Sequence, residues 1–443
     1  MRSTPPRPKG DPLFGNARQY ADDPFRLLTA CERAYGDVVE LDLGPLETYM
    51  LSDPGEIQRV LVADAENYVK PDFQDDAIGD LLGEGLLLSE GETWQQQRTL
   101  TNPAFMMDRL SEFTDTIAGH AEAMVEAWGD GERRDVELEM TQVTLDVICD
   151  LMLDVQLSAA QRETIRENLA PIGARFEPDP IRFVTPEWVP TPDNREYQAA
   201  LSELDDVVAE IIADRRGTEG SEDDEDPPMD VLSILLRAQN RGEQSRSQLR
   251  DEVVTMLLAG HDTTALTLTY GWYLLANHPE VRSAVEAEAD GVEGPVGWAD
   301  VRSFDLIERV IQESMRLYPP VYVIFRQPTT DVELGGYRIP EGSSVMLPQW
   351  AVHRSPDWWE HPEQFDPDRW QGSSDRPRFA YFPFGGGPRH CIGKHLAMLE
   401  AQVITATVAR EFSLSTEREG RLELLPSLTI HPRDGMAMDL TAR

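Results

Sequence analysis

The hydrophobic and polar residues of the chain recur mainly with the period of an α-helix. Apolar residues return every three or four positions, which is typical of helices that bury one face. The clearest segments are Met107–Leu157 (two or three helices), Leu201–Asp214, Ser247–Asn277, Phe304–Tyr318 and Gly393–Phe412. Pro279 follows the third segment and Pro319 follows the fourth. Both helices are predicted to end there, because the residue before a proline disfavours the helical conformation.

A smaller part of the chain alternates with the period of a β-strand. It covers Val38–Leu51, Val321–Leu347 and Leu422–Leu440. The two patterns together predict a mainly α protein with a minor β part, an α+β fold. Because neither an internal repeat nor a strong linker interrupts them, we expect one domain over residues 1–443. The acidic stretch Arg216–Asp230 is predicted to be an exposed surface loop within that domain.

The chain is strongly acidic, with 80 Asp and Glu against 40 Lys and Arg and a net charge of −40. This charge argues against partners such as nucleic acid or an anionic membrane surface. Only Lys9, Lys70 and Lys394 are lysines. The acidic excess favours a halophilic protein, because high salt screens its self-repulsion. Codon bias in a GC-rich genome explains the lysine shortage equally well.

The N-terminus lacks the features of a targeting segment. It reads MRSTPPRPKGDPLFG and contains no apolar run. No stretch of the sequence approaches the roughly 20 apolar residues of a membrane-spanning helix. We therefore expect a cytoplasmic protein without a membrane anchor.

Of the three cysteines, Cys391 has the setting that suits chemistry. Cys31 and Cys149 lie in apolar helical segments and are predicted to be small buried core residues. Cys391 ends a glycine-rich loop, Phe384–Gly393, directly before a helix. Glycines let a backbone pass close to a flat ligand, and the N–H groups at the start of a helix favour a thiolate. A thiolate held this way suits an iron ligand.

Three other interpretations of Cys391 remain. It could be buried and inert, although glycine-rich loops make poor core. It could be a redox thiol, although no second cysteine is near it in the sequence. It could bind zinc together with His390 and His395, although structural zinc sites use four ligands.

The glycine-rich loop resembles the haem-binding signature of the cytochrome P450 family, F-x-x-G-x-R-x-C-x-G. All five specified positions agree: Phe384, Gly387, Arg389, Cys391 and Gly393. The resemblance implies the P450 fold, a triangular helix-rich domain with small antiparallel sheets. It also implies haem b as cofactor, with Cys391 as the axial thiolate ligand of the iron. Arg389 would pair with a haem propionate, and Phe384 would shield the sulfur.

A second motif, Ala259-Gly-His-Asp-Thr-Thr264, interrupts the long apolar helix. Glycine and threonine are poor residues inside a helix, and a threonine hydroxyl can bond a carbonyl one turn back. Alone this predicts only a kink. The motif also resembles the family's oxygen-activation sequence, A/G-G-x-D/E-T-T/S. The resemblance implies that Ala259 lies at the haem, Gly260 opens space for dioxygen, Asp262 gates protons and Thr263 holds the reduced oxygen.

Three further residues carry hydrogen-bond donors for a buried carboxylate. Trp94 and Arg98 lie one helical turn apart, and both side chains donate. Alone they could belong to an ordinary exposed helix. They resemble the family's W-x-x-x-R/H element, which binds a haem propionate. Arg326 resembles another propionate-binding arginine of the family.

Glu313 and Arg316 are spaced to share one helix face. On a surface such a pair contributes little to stability. The helix is otherwise apolar, and the pair resembles the family's E-x-x-R motif. The resemblance implies a buried network with Arg369 from a later loop, which supports folding and haem loading rather than chemistry.

The sequence therefore predicts a haem-thiolate monooxygenase that inserts one oxygen atom from dioxygen into an apolar small molecule, such as a lipid, fatty acid or terpenoid. A separate ferredoxin and its reductase would supply electrons, with Lys394, Arg389 and His390 as a small basic docking face. The predicted pocket draws on Asp72–Leu88, Ile172–Pro190, Met256, Val323 and Ile324. Two alternatives stay open. One is a haem-thiolate peroxygenase or isomerase, and the other is a non-catalytic haem binder or gas sensor.

Overall fold

The computed structural model describes residues 4–44, 47–178, 189–218, 228–372, 375–418 and 422–443. Its helices are α1 Ala17–Asp22, α2 Pro24–Tyr35, α3 Pro54–Gln58, α4 Asp72–Leu82, α5 Gly91–Thr101, α6 Leu110–Glu126, α7 Val136–Ile148, α8 Ala159–Ala174, α9 Pro192–Thr218, α10 Val231–Asn240, α11 Arg246–Asn277, α12 Pro279–Ala289, α13 Trp298–Val301, α14 Leu306–Leu317, α15 Gln349–Val352 and α16 Lys394–Glu411. Its strands are β1 Val38–Asp42, β2 Glu47–Leu51, β3 Tyr68–Val69, β4 Arg133–Asp135, β5 Ile324–Pro328, β6 Val332–Leu334, β7 Tyr337–Ile339, β8 Ser344–Leu347, β9 Phe412–Ser415, β10 Leu424–Pro426, β11 Ile430–Pro432 and β12 Ala437–Ala442. The predicted class, mainly helical with small sheets, is confirmed.

The long helix α11 runs through the hydrophobic core. Ser245 begins it with a capping box: its hydroxyl accepts from the N–H of Gln248, and the side chain of Gln248 accepts from the N–H of Ser245. Most of its residues are buried, and it packs against α7, α14 and α16. Ala259, near its centre, is an exception because its side chain is exposed. A helix surrounded by protein that still exposes one central residue borders an internal recess.

Helices α14 and α16 were both predicted to within about two residues of their observed ends. Helix α14 has one continuous apolar face and ends before Pro319. Helix α16 is capped by Gly393 and passes directly into β9 at Phe412. Its first turn therefore starts three residues after Cys391, one residue later than the sequence predicted.

The strands form small sheets at the edges of the helical core. The largest has the order β1-β2-β8-β5-β3, and a three-stranded sheet has the order β4-β12-β9. Every neighbouring pair is antiparallel except β2 with β8, which is parallel with Thr48 opposite Ser344. The remaining strands make two hairpins, β6-β7 and β10-β11. The β10-β11 hairpin reaches the middle of α11, as described below.

Two local predictions were wrong at their boundaries. The predicted acidic loop Arg216–Asp230 is shorter at both ends, because α9 continues to Thr218 and Asp230 is buried. Asp230 accepts from the N–H of Ser233 at 2.8 Å and caps α10. Residues 219–227 lie outside the described part of the chain. The Asp72–Leu88 part of the predicted pocket was expected to be a loop, but it begins as helix α4. The Ile172–Pro190 part lies partly outside the described residues.

In the described ranges, no helix combines the length and apolar character that crossing a lipid bilayer requires.

Candidate active site

The loop before Cys391 is folded by its glycines. Gly385 and Gly387 both adopt a φ of +67°, a conformation that residues with a side chain rarely take. A Cβ on Gly387 would overlap the carbonyl oxygen of Leu61, so the loop can approach the preceding chain only without one. The N–H of Cys391 donates to the carbonyl oxygen of Phe384 at 2.9 Å and closes the loop. The predicted role of the glycines in bending this backbone is confirmed.

The side chain of Cys391 is exposed, yet it lies deep among protein atoms. A sulfur that is both accessible and surrounded by protein atoms faces an internal recess rather than the outer surface. Burial raises the pKa of the Cys391 thiol, while the N–H of Gly393 and the charges of Arg98 and Lys394 lower it. The N–H at the helix start therefore favours the thiolate, as predicted, but burial outweighs it and the pKa of the thiol lies above its ordinary value. A bound metal cation deprotonates a coordinating thiol directly.

Three arginines gather beside this loop. Burial lowers the pKa of Arg98 and of Arg389, and burial together with the charge of Arg389 lowers the pKa of Arg326 to about 10. One carboxylate, that of Glu90, accompanies them and pairs with Arg389. Among the described residues, Arg98 and Arg326 form no ion pair. The cluster therefore holds more buried positive charge than the protein neutralises, which is the setting for an anionic ligand.

Trp94 and Arg389 stack in the same region. The guanidinium of Arg389 lies 4.7 Å from the centre of the Trp94 ring and donates to the carbonyl oxygen of Ser89 at 2.6 Å. Arg98 approaches Nε2 of His390 at 3.4 Å. Helix α5 carries both Trp94 and Arg98, so the structure brings the predicted propionate-binding residues to the cysteine loop. Nothing in the sequence pattern indicated Glu90, which contacts Arg389, 299 residues further along the chain.

The distal motif lies where α11 faces the recess. Ala259 is exposed, and the hydroxyl of Thr263 donates to its carbonyl oxygen at 3.3 Å, as the sequence predicted for a threonine inside a helix. Gly260 has a packing role that the sequence did not indicate. A Cβ there would meet Cγ1 of Ile148 at 2.6 Å, so the missing side chain allows α7 to pack against α11. Its role in opening space for dioxygen stays a prediction.

Asp262 has partners that the sequence did not indicate. It accepts from the hydroxyl of Thr429 at 2.7 Å and lies 3.6 Å from Nε2 of His431. Both partners belong to the β10-β11 hairpin, about 170 residues further along the chain. Burial raises the pKa of Asp262, but His431, with smaller contributions from His261 and Thr429, outweighs burial and lowers it. No local pattern around Thr429 or His431 could have assigned them to this site.

These residues fit a haem. A haem is a flat apolar ring with an iron at its centre and two propionates at one edge. An accessible sulfur on a glycine-bent loop, an exposed alanine on the facing helix and an excess of buried arginine match those three parts. In the described ranges, no group of three or more His, Cys, Asp and Glu side chains could hold a metal, which disfavours the zinc alternative with His390 and His395. Lys394 and His390 are exposed, whereas Arg389 turns inward to Glu90 and is not part of a docking face.

A largely buried ion network joins Glu313, Arg316 and Arg369, as predicted. Both carboxylate oxygens of Glu313 accept from Arg316, at 2.9 and 2.8 Å, and Arg369 donates to Glu313 at 2.9 Å. The N–H of Asp366 and the indole of Trp370 add donors at 3.1 and 2.9 Å. Burial raises the pKa of Glu313, but Arg316 and Arg369 outweigh it and lower the pKa overall.

The fold and this site are those of a haem-thiolate protein. The sequence pattern of the family described as Cytochrome P450 matches residues 5–436, and the chain belongs to that family. It is a monooxygenase of the family. The family implies a haem cofactor with a cysteine thiolate ligand.

Relatives with assigned activities match along almost the whole chain. Cyclooctatin synthase from Streptomyces melanosporofaciens is 34% identical over 441 residues, which cover 97% of this chain and 92% of that protein. Cyclooctat-9-en-7-ol 5-monooxygenase from the same organism is 34% identical over 421 residues, with coverages of 92% and 88%. Pentalenene oxygenase from Streptomyces avermitilis is 30% identical over 450 residues, with coverages of 98% and 97%. The crystal structure of the cytochrome P450DA heme domain superposes with a TM-score of 0.87 at 28% identity and covers 100% of this chain and 99% of that one.

Proposed function

We propose that this P450 monooxygenase inserts one atom of dioxygen into an apolar terpenoid, with Cys391 as the thiolate ligand of haem b. The accessible sulfur on the glycine-bent loop is the observation that carries the ligand assignment. The names of the relatives support the substrate class, because they refer to cyclooctatin, cyclooctat-9-en-7-ol and pentalenene. One substrate C–H bond becomes C–OH, and two electrons and two protons reduce the second oxygen atom to water.

The chain's own residues hold and shape the site. Cys391 would ligate the iron, Arg98, Arg326 and Arg389 would neutralise the propionates, and Trp94 would donate a further hydrogen bond to them. Haem with a thiolate ligand supplies the activation of dioxygen when it is bound. Phe384 covers the sulfur from the loop side, while Gly393 donates its N–H to the sulfur and so stabilises its negative charge.

On the distal side, which helix α11 forms, the residues of the motif shape the substrate surface and can transfer protons. Ala259 presents a small apolar surface to the ring, so that a substrate can lie close to it. Thr263 offers a hydroxyl at this surface, and the neighbouring carboxylate of Asp262 can relay protons to it. A positioned acid and hydroxyl suit a reaction that consumes two protons.

Electrons reach this chain from separate proteins under the proposal. We assign this role to a ferredoxin and its reductase, which dock near Lys394 and His390, where positive charge is exposed next to the sulfur. Location in the cytoplasm and adaptation to high salt remain predictions of the sequence.

Product analysis tests the substrate class. The purified holoenzyme is mixed with a surrogate ferredoxin pair and with cyclooctat-9-en-7-ol, pentalenene or a fatty acid of similar size. We expect a substrate-induced spin-state change with the terpenoids, and one heavy oxygen atom in the product under isotopically heavy dioxygen. Turnover of the fatty acid alone would reject the terpenoid assignment. Turnover with peroxide but never with the ferredoxin pair would favour a peroxygenase.

The ligand assignment is tested by changing Cys391 to Ser. A serine oxygen does not replace the thiolate, so we expect the long-wavelength Soret band of the ferrous carbonyl form to be lost. Cys31→Ala is the matched control, because Cys31 is buried in α2 and away from the loop. The assignment fails if the Cys391 variant keeps the band or if the control loses it.

A further inference from the structure

A histidine from the C-terminal hairpin lies between two carboxylates beside the distal motif. Nδ1 of His431 is 2.9 Å from Oε1 of Glu137, and its Nε2 is 3.6 Å from Oδ1 of Asp262. The hydroxyl of Thr429 lies 3.0 Å from the same Nε2 and donates to Asp262 at 2.7 Å. Because that hydroxyl gives its proton to Asp262, it can only accept from His431. Both ring nitrogens therefore face acceptors, and such a ring carries two protons and a positive charge.

The surroundings of the ring favour this charge. The titratable groups that interact with the ring are Asp262 and His261 on α11 and Glu137 on α7. Tyr270 on α11 interacts with both carboxylates, and Asp135, which caps α7, interacts with Glu137. His261 is fully buried, and burial lowers its pKa, so it adds no competing cation. Burial alone would lower the pKa of His431, but Asp262 and Glu137 outweigh burial and raise it to about 10.

Without this cation, two acids would share a buried site. Asp262 and Glu137 are largely covered, with side-chain exposures of 18% and 15%. Two buried carboxylates close to each other cannot both stay ionised at low cost. Among the described residues within reach of Asp262, His431 supplies the compensating positive charge.

The same contacts fix the direction of Asp262. Its carboxylate bonds to the hairpin, whereas the hydroxyl of the neighbouring Thr263 bonds to the carbonyl oxygen of Ala259. The two side chains do not bond each other. Asp262 can reach Thr263 only by leaving Thr429 and His431, so the strength of this contact controls how often the acid is available.

We propose that His431 is a positioning residue for Asp262: its positive charge keeps the acid ionised and turned toward the hairpin, and thereby sets how readily Asp262 relays protons to Thr263. The inference rests on the proposed roles of Asp262 and Thr263. It adds a residue from a distant part of the chain to the distal site.

The charge of the ring is measured first. Histidine-labelled holoenzyme in the diamagnetic ferrous carbonyl form gives a resonance for each of the 8 histidines, and His431→Gln assigns the relevant one. We expect His431 to stay protonated well above the ordinary histidine range, near pH 6.5. In Asp262→Asn its midpoint should fall by at least about one pH unit, because one carboxylate partner is lost. An ordinary midpoint that Asp262→Asn leaves unchanged overturns the proposal.

The positioning role is measured by turnover. The rate of electron uptake from the surrogate ferredoxin pair is recorded against pH, together with the fraction of electrons that ends in hydrogen peroxide. This measurement requires no knowledge of the natural substrate. In the wild type, Asp262 stays ionised, so the profile should be flat between about pH 5 and pH 8. In His431→Gln the profile should show a new ionisation in this window, with a several-fold larger peroxide fraction. His431→Lys keeps a cation and should restore the flat profile.

A matched control separates position from general damage. His120→Gln removes another half-buried histidine that pairs with an aspartate, Asp150, at 2.9 Å, far from the hairpin in sequence. It should leave the profile unchanged. If Gln and Lys at position 431 behave alike, or if the control shows the same change, the proposal is wrong. If the enzyme turns over no terpenoid but the His431 midpoint and the pH profiles change as expected, only the proposed substrate class is wrong.

Discussion

Replacing Glu313 by Gln tests the buried network most directly. The substitution keeps the shape of the side chain and removes its charge. Glu313 and Arg316 are both 0% exposed, and five donors converge on the carboxylate: two from Arg316 and one each from Arg369, Asp366 and Trp370. An amide offers one oxygen to these donors, and its NH₂ group faces guanidinium groups that cannot accept.

The size of the effect follows from the buried charge. Removing one partner of a buried ion pair leaves the other uncompensated and costs about 3–5 kcal/mol. The whole protein is stabilised by about 5–15 kcal/mol, so the loss is a large fraction of the total. Because Arg316 also donates to the carbonyl oxygens of His353 and Pro362, at 2.9 and 2.7 Å, the lower half of the range is expected.

The assay is urea unfolding of the purified variants at one fixed salt concentration, together with haem content. Glu308→Gln, on the same helix, is the control, because Glu308 is exposed and accepts only from Gln312 among the described side chains. It should change the free energy of unfolding by about 0.5 kcal/mol or less. The reasoning fails if Glu313→Gln retains full haem content and lies within about 1 kcal/mol of the wild type.

Three further outcomes are expected. Thr263→Ala should retain haem while a larger share of the electrons goes to hydrogen peroxide, which a peroxide assay beside product analysis will show; unchanged coupling would reject the role of the hydroxyl. Gly260→Ala should lower the free energy of unfolding by about 1–3 kcal/mol, because the new Cβ meets Ile148, and the cost should shrink in an Ile148→Ala background. Dialysis into dilute buffer should unfold the protein, with molar salt restoring its circular dichroism, because 80 acidic residues repel one another; a fold that persists in dilute buffer would contradict salt adaptation.

Most helices could be predicted because their signals are local. Ser245 and Gln248 lie three residues apart and fix the start of α11, and Pro279 follows its end. The sheets were less accessible. Strand β4 is only Arg133–Asp135, two arginines and an aspartate, and its partner β12 lies about 300 residues further along the chain. Such pairing depends on tertiary contact, which periodicity does not record.

The candidate site divides in the same way. The loop around Cys391 could be recognised because its glycines, arginine and cysteine are contiguous. The pKa of its sulfur could not be predicted from the sequence, since the burial that raises it depends on the rest of the fold. Asp262 was found by its motif, whereas His431 comes from a separate hairpin. Gly260 was assigned to dioxygen by the motif, and only the packing of Ile148 reveals its other role.

The glycines before Cys391 also link cofactor affinity to a distant part of the core. Gly386 fits against the ring of Phe379 and Gly387 against the backbone of Leu61, and both partners belong to the hydrophobic cluster that supports the five-stranded sheet. The conformation of the loop is therefore determined by packing within the protein rather than by the bound ligand. A binding surface shaped in advance loses little conformational entropy when it is filled. Mutations that loosen the cluster around Leu61 and Phe379 should accordingly weaken cofactor retention without touching a single cofactor contact.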